Sequence, residues 1–129
     1  MARRAHRFSM PVLAYDSNVK EVQQEFKDYV TLCSLEGVKQ KADVVFIHVP
    51  LTPETKYMFN KESMHRMKEG AFLINTSRGG IVNEADLYEV CKEGHLGGAA
   101  MDVTEKEPMA LEEPLLSLDN VVVTPHIGM

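Results

Sequence analysis

The sequence predicts an α/β protein built on a doubly wound parallel sheet, and three observations predict it. Short β-rich runs alternate with amphipathic stretches along the chain. Several of those runs are apolar almost throughout, as strands buried on both faces are. Polar residues and glycines gather where the runs end. Right-handed crossovers between parallel strands bring all carboxyl ends to one edge, and chemistry in such sheets gathers there.

The elements follow in order. Residues 1–8 read as a helical stretch with Met1, Ala5 and Phe8 on one face, and 11–15 as an apolar strand closed by Asp16. Residues 19–29 read as a helix with Val22 and Phe26 on one face, 30–32 as a short strand, and 34–41 as a helix with Ser34 as N-cap. Residues 43–49 are the clearest strand, and Pro50 ends it. A helix over 61–67 terminates at Gly70, and a buried strand over 71–75 is closed by Arg78-Gly79-Gly80. Asn83 caps a helix running to Cys91 and Lys92, with Gly94 as its C-terminal stop. Residues 97–101 form a strand whose small residues let helices approach closely, 112–118 a loop or helical turn, and 121–123 a last strand.

The chain has 129 residues, enough for one domain, and its 44% apolar content suffices for a core. A net charge of -5 speaks against nucleic acid as a partner, because phosphate neutralisation needs a basic surface. The basic start at Arg3, Arg4 and Arg7 leads into a stretch too short for a secretory signal, and no run is long enough to cross a bilayer. Cys33 and Cys91 have no metal-ligand spacing, so no metal site is expected, and reduced thiols in a cytoplasmic protein are the default.

The strand ends carry Asp16, Pro50, the segment 76–80, Asp102 and His126. Taken singly, these residues have plain explanations. Asp16 suits a turn or an N-cap, Arg78 a surface loop, and Glu107 a solvated position; a lone histidine is more often structural than catalytic.

Their joint context overturns those explanations. The run Ile74-Asn75-Thr76-Ser77-Arg78-Gly79-Gly80-Ile81-Val82-Asn83-Glu84 resembles the signature of the D-isomer-specific 2-hydroxyacid dehydrogenases, of the phosphoglycerate dehydrogenase-like kind. Three further stretches match the family in order and spacing. They are Ala42-Asp43-Val44-Val45 through His48-Val49-Pro50-Leu51-Thr52-Pro53-Glu54-Thr55, Gly98-Ala99-Ala100-Met101-Asp102-Val103 through Glu107-Pro108, and Asn120-Val121-Val122-Val123-Thr124-Pro125-His126-Ile127-Gly128.

The resemblance implies a Rossmann-like domain that binds NAD and transfers a hydride between it and a small D-2-hydroxy or 2-keto acid. By that resemblance Arg78 grips the substrate's carboxylate and carbonyl, a task suited to a planar fork of donors. His126 is the acid/base, and Glu107 pairs with it and fixes its ring. Asp16 accepts from the adenosine ribose hydroxyls and favours NAD over NADP. Val49, Pro50 and Thr52 wall the adenosine pocket. Thr76 and Asp102 lie near the nicotinamide, with Asp102 accepting from its carboxamide. A homodimer belongs to the same expectation.

A dinucleotide fold opens with a strand and a G-x-G-x-x-G turn, and this sequence has neither. Residues 1–8 resemble the second half of the helix that follows that turn. Residues 1–129 are therefore expected to be a partial dinucleotide-binding domain without its first strand, with a gap in mid-sheet, a substrate domain absent, and weak NAD binding by the chain alone. Two alternatives accompany this reading: a non-catalytic nucleotide-binding relative, and an assembly module that pairs with another chain. Arginine, glutamate and histidine all stand at their positions, which speaks against lost chemistry.

Overall fold

Residues 1–41 and 42–128 fold as two units in the computed structural model, which describes residues 1–128. The first unit opens with helix α1 (Ala2–Arg7), followed by strands β1 (Val12–Ala14) and β2 (Val30–Leu32) and helix α2 (Leu35–Lys41). The two strands pair in parallel, Val12 opposite Val30. Ser34 begins α2 as expected, its hydroxyl accepting from the Gly37 amide at 3.0 Å.

The expected helix over 19–29 does not form. Only a 3-10 turn, Gln24–Phe26, stands there. Val19, Val22 and Phe26 are the only large aliphatic or phenyl side chains in that stretch, too few for a helix to bury a face. Phe26 instead meets Tyr29 edge-on, with ring centroids 5.9 Å apart, and lies under the Arg3 guanidinium, whose carboxylate partner is Glu25.

The second unit holds the core. Strands β3 (Val44–Ile47), β4 (Phe72–Asn75), β5 (Gly98–Met101) and β6 (Val121–Val123) form a parallel sheet in chain order, with helix α3 (Lys61–His65) before β4 and helix α4 (Glu84–Lys92) before β5. Each helix has an asparagine cap. Asn60 accepts from the Ser63 amide at 2.9 Å, and Asn83 from the Asp86 amide at 3.1 Å. Gly94, at a φ of 82°, closes α4 in the left-handed conformation glycine tolerates.

One face of this sheet is buried. Val45, Ile47, Leu73, Ala99 and Met101 form it, and Met64 of α3 with Leu87 and Val90 of α4 contribute fully buried partners. The expectation that 43–49 is buried on both faces is corrected. Val44 and Phe46 are only half-buried, and Phe72 and Val122, on the same side, are exposed. The reason is topological. The strand order steps in one direction, and right-handed crossovers then place every connection on the same side.

The small residues at the start of β5 serve neighbouring backbone rather than helices. A side chain at Gly97 would begin 2.4 Å from the Gly70 carbonyl oxygen, and one at Gly98 2.4 Å from that of Asn120. The segment 112–118 contains a 3-10 turn, Pro114–Ser117, that buries Leu115. The six strands lie in two sheets, of two and four strands. No helix among the described residues is long and apolar enough to cross a membrane.

Candidate active site

Three strands of the four-stranded sheet deliver polar residues to its carboxyl edge. Arg78 follows β4, Asp102 follows β5 and His126 follows β6, so the parallel pairing carries all three to one side. Each is held there differently.

The Arg78 loop hangs from Asn75, the last residue of β4, which is fully buried. Its amide nitrogen donates to the Arg78 carbonyl at 2.9 Å, and its side-chain oxygen accepts from the Ser77 amide at 3.0 Å. The Ser77 hydroxyl donates to the Ile47 carbonyl at 2.8 Å, tying the loop to β3. Arg78 itself is exposed, with Nη1 donating to the Ser77 carbonyl at 2.6 Å. Gly79 packs so tightly that an added Cβ would lie 2.0 Å from the Thr104 carbonyl group. Two loops thus meet backbone to backbone.

Asp102 is buried, 6% exposed, and its carboxylate anchors the turn that carries His126. One oxygen accepts from the Ile127 amide at 3.0 Å and from the Thr124 hydroxyl, the other from the Gly128 amide at 2.7 Å. These bonds hold its carboxyl below the usual aspartate range, the Thr124 hydroxyl contributing most. Three of a carboxylate's roughly four acceptor positions are taken. The turn holds His126 at a φ of 56°, a left-handed backbone that costs a non-glycine residue about 1–2 kcal/mol. The Asp102 bonds offset that strain.

His126 points its Nδ1 at Glu107 Oε2, 2.8 Å away, with both side chains more than two-fifths exposed. The Glu107 carboxyl is held below its usual range, first by this bond, then by the Thr104 amide, which donates to its other oxygen at 3.2 Å; the Arg78 charge adds to the effect. A carboxylate only accepts, so Nδ1 carries the proton in this contact and Nε2 takes no part in it. The structure therefore brings Glu107 and His126 into contact and places Arg78 within electrostatic reach of Glu107.

Other expected site residues are placed individually. Thr76 is exposed at the end of β4. Val49 is half-buried and Pro50 exposed beyond β3. Thr52 forms a local hydroxyl turn with Thr55, whose own hydroxyl donates to the Pro50 carbonyl at 2.7 Å. Asp16, in the first unit, is exposed just past β1 and accepts from the Asn18 amide at 2.8 Å. Cys33 and Cys91 are free thiols, and burial pushes that of Cys91 up to about 11.

Sequence reasoning missed Asn75, Thr124, and a network of Tyr57, Glu84 and Glu105. The Tyr57 hydroxyl donates to Glu105 Oε2 at 2.6 Å. The Glu84 amide donates to Glu105 Oε1 at 3.0 Å, and the Glu105 amide donates back to Glu84 Oε1 at 2.5 Å. Burial holds the Glu84 carboxyl above its usual range, while the Glu105 amide pulls it down. Asn75 alone left a signal, a polar residue closing an apolar strand.

A parallel sheet with polar residues gathered beyond its strand ends has the architecture of nucleotide-binding α/β domains. The chain belongs to the D-isomer-specific 2-hydroxyacid dehydrogenase family: the description of that family's NAD-binding domain matches residues 1–128. It is 45% identical over 126 residues to a glyoxylate reductase of Korarchaeum cryptofilum, covering 98% of this chain and 38% of that protein. It is likewise 45% identical over 128 residues to a D-3-phosphoglycerate dehydrogenase of Archaeoglobus fulgidus, covering 99% of this chain and 24% of that one. Among solved structures, the TT0316 protein of Thermus thermophilus superposes with a TM-score of 0.89 at 43% identity, over 98% of this chain and 39% of that one. The chain thus spans well under half the length of these relatives.

Proposed function

We propose that this chain supplies the NAD-binding half of a dehydrogenase that interconverts small D-2-hydroxy acids and 2-keto acids. The observation that carries the reading is the Glu107–His126 contact at 2.8 Å on the same sheet edge as Arg78. NAD, when bound, supplies or accepts the hydride. The donor set suits its nicotinamide half and an α-keto acid: an exposed guanidinium, an imidazole with one free nitrogen, and an Asp102 carboxylate with an acceptor position left for a carboxamide. We assign Thr76 to the same nicotinamide half. On the adenosine side, Asp16 would accept from the ribose hydroxyls and repel a 2′-phosphate, and Val49, Pro50 and Thr52 are assigned to the adenosine.

In reduction, His126 Nε2 gives its proton to the keto oxygen, Arg78 holds the substrate's carboxylate and carbonyl, and Glu107 keeps the imidazole oriented. In oxidation, Nε2 takes the hydroxyl proton. The protein works in the cytoplasm, as a homodimer, without nucleic acid; the free thiols support the compartment, and the net charge of -5 supports the last. Residues 1–129 are part of the dinucleotide-binding domain, and a separate substrate domain completes the enzyme.

The test is NADH oxidation with a panel of small 2-keto acids, on the chain and on a protein extended by a strand, a glycine-rich turn and a substrate domain. The extended enzyme turns over and His126→Gln loses about 10²–10⁴-fold in rate with cofactor affinity kept. Arg78→Lys weakens substrate binding and turnover together, because the two-point grip is gone. Parental turnover in His126→Gln ends the assignment.

A further inference from the structure

Two loops carry the proposed chemistry, one with Arg78 and one with Glu107, and something must fix the gap between them. Gly79 and the Thr104–Glu105 backbone already touch. Around that junction Glu105 is the hub. Its carboxylate accepts from the Glu84 amide at the start of α4 and from the Tyr57 hydroxyl, while its own amide is held by Glu84. Tyr57 in turn reaches the other loop, its amide donating to the Gly80 carbonyl at 2.9 Å, two residues beyond Arg78.

Tyr57 is an odd residue for its backbone. Its φ of 52° lies in the left-handed region, where glycine or asparagine sits with least cost. A tyrosine there has a use that only a long side chain with a terminal donor can fill, and its hydroxyl fills it on Glu105.

We propose that Tyr57 and Glu105 are positioning residues that set the spacing between Arg78 and the Glu107–His126 pair. Tyr57 grips the Arg78 loop by its backbone and the Glu107 loop by its hydroxyl, so one residue spans both. Glu105, two residues before Glu107, ties the same junction to the N-terminus of α4. The inference rests on the roles given above to Arg78, Glu107 and His126, while the network's geometry stands without them.

A capping role for Glu105 on α4 is the rival, and Tyr57→Phe separates the two. That variant deletes one O–H and leaves both Glu84–Glu105 bonds in place. Nuclear magnetic resonance on the isotope-labelled chain is the measurement, read at the Gly79 and Gly80 amides, the Arg78 guanidinium and the His126 ring. Tyr57→Phe shifts these signals together and speeds exchange of the residue 57 amide, the donor to the Gly80 carbonyl, roughly tenfold, as loss of a charge-assisted hydrogen bond does. Glu105→Gln keeps an oxygen to accept from the Glu84 amide and an NH2 that donates to the Tyr57 hydroxyl oxygen, so it retains the parental pattern at Gly79 and Gly80, whereas Glu105→Ala does not. In the extended enzyme, Tyr57→Phe lowers kcat/KM for the keto acid several-fold with the NADH KM unchanged. Parental signals at Gly79, Gly80 and His126 in Tyr57→Phe overturn the proposal. Shifted signals in an enzyme indifferent to Arg78→Lys would overturn the catalytic reading and leave the network standing.

Discussion

The two units differ in what holds them. In residues 42–128 strands β3, β4 and β5 each carry buried side chains, and all buried apolar residues among those described fall between Val45 and Leu115. In residues 1–41 the one buried residue is Lys39, and strands β1 and β2 are half-exposed. Two aspartates show the same contrast. Asp102 ends β5 buried, bound by three donors more than twenty residues away, whereas Asp16 ends β1 in the open, bound by an amide two residues on. The proposed proton-transfer edge therefore rests on the well-packed unit, and the proposed ribose-binding residue on the sparse one.

The largest test of this contrast is a pair of core truncations. Leu87→Ala, at a fully buried position, should cost about 2–5 kcal/mol in denaturant unfolding. Leu13→Ala, at a half-buried one, should cost under about 1.5 kcal/mol. Equal losses would break the comparison. A smaller effect comes from the helix ends. Asn83→Ala removes a cap from α4 and should cost about 1 kcal/mol, while Met1, which precedes α1, makes no side-chain cap bond to lose.

The smallest effect is one of pH. The carboxyls of Asp102 and Glu107 are held below their ordinary values in the fold. Their stabilisation of the His126 turn is complete above the ordinary carboxylate range, roughly pH 4–5, and is lost as pH falls through the lower folded values. Through the ordinary carboxylate range, from about pH 5 to pH 4, the Ile127 and Gly128 amide signals should stay fixed, and carboxyl-linked movement should come only below it. Movement at ordinary carboxylate values would show that the turn does not protect Asp102.

Period and punctuation made most of the second unit legible. Asn83 and Gly94 bracket α4 as their chemistry dictates, and 71–75 and 121–123 contain the strands expected there. The helix over 19–29 misled, because two apolar residues four apart satisfy a helical spacing without supplying a face to bury. Arg78, Glu107 and His126 came from resemblance rather than from spacing. The Tyr57–Glu105 and Glu84–Glu105 bonds join residues 48 and 21 positions apart. No local pattern encodes such pairs; only the folded sheet edge brings them together.

The junction at Gly79 carries a consequence for how such a domain can change over generations. Where a hydrogen atom is all that fits between two main chains, drift at that position is closed, and any larger residue would push the Arg78 and Glu107 loops apart. Variation at this edge is therefore left to exposed residues such as Thr76, while the seam between the two loops stays fixed.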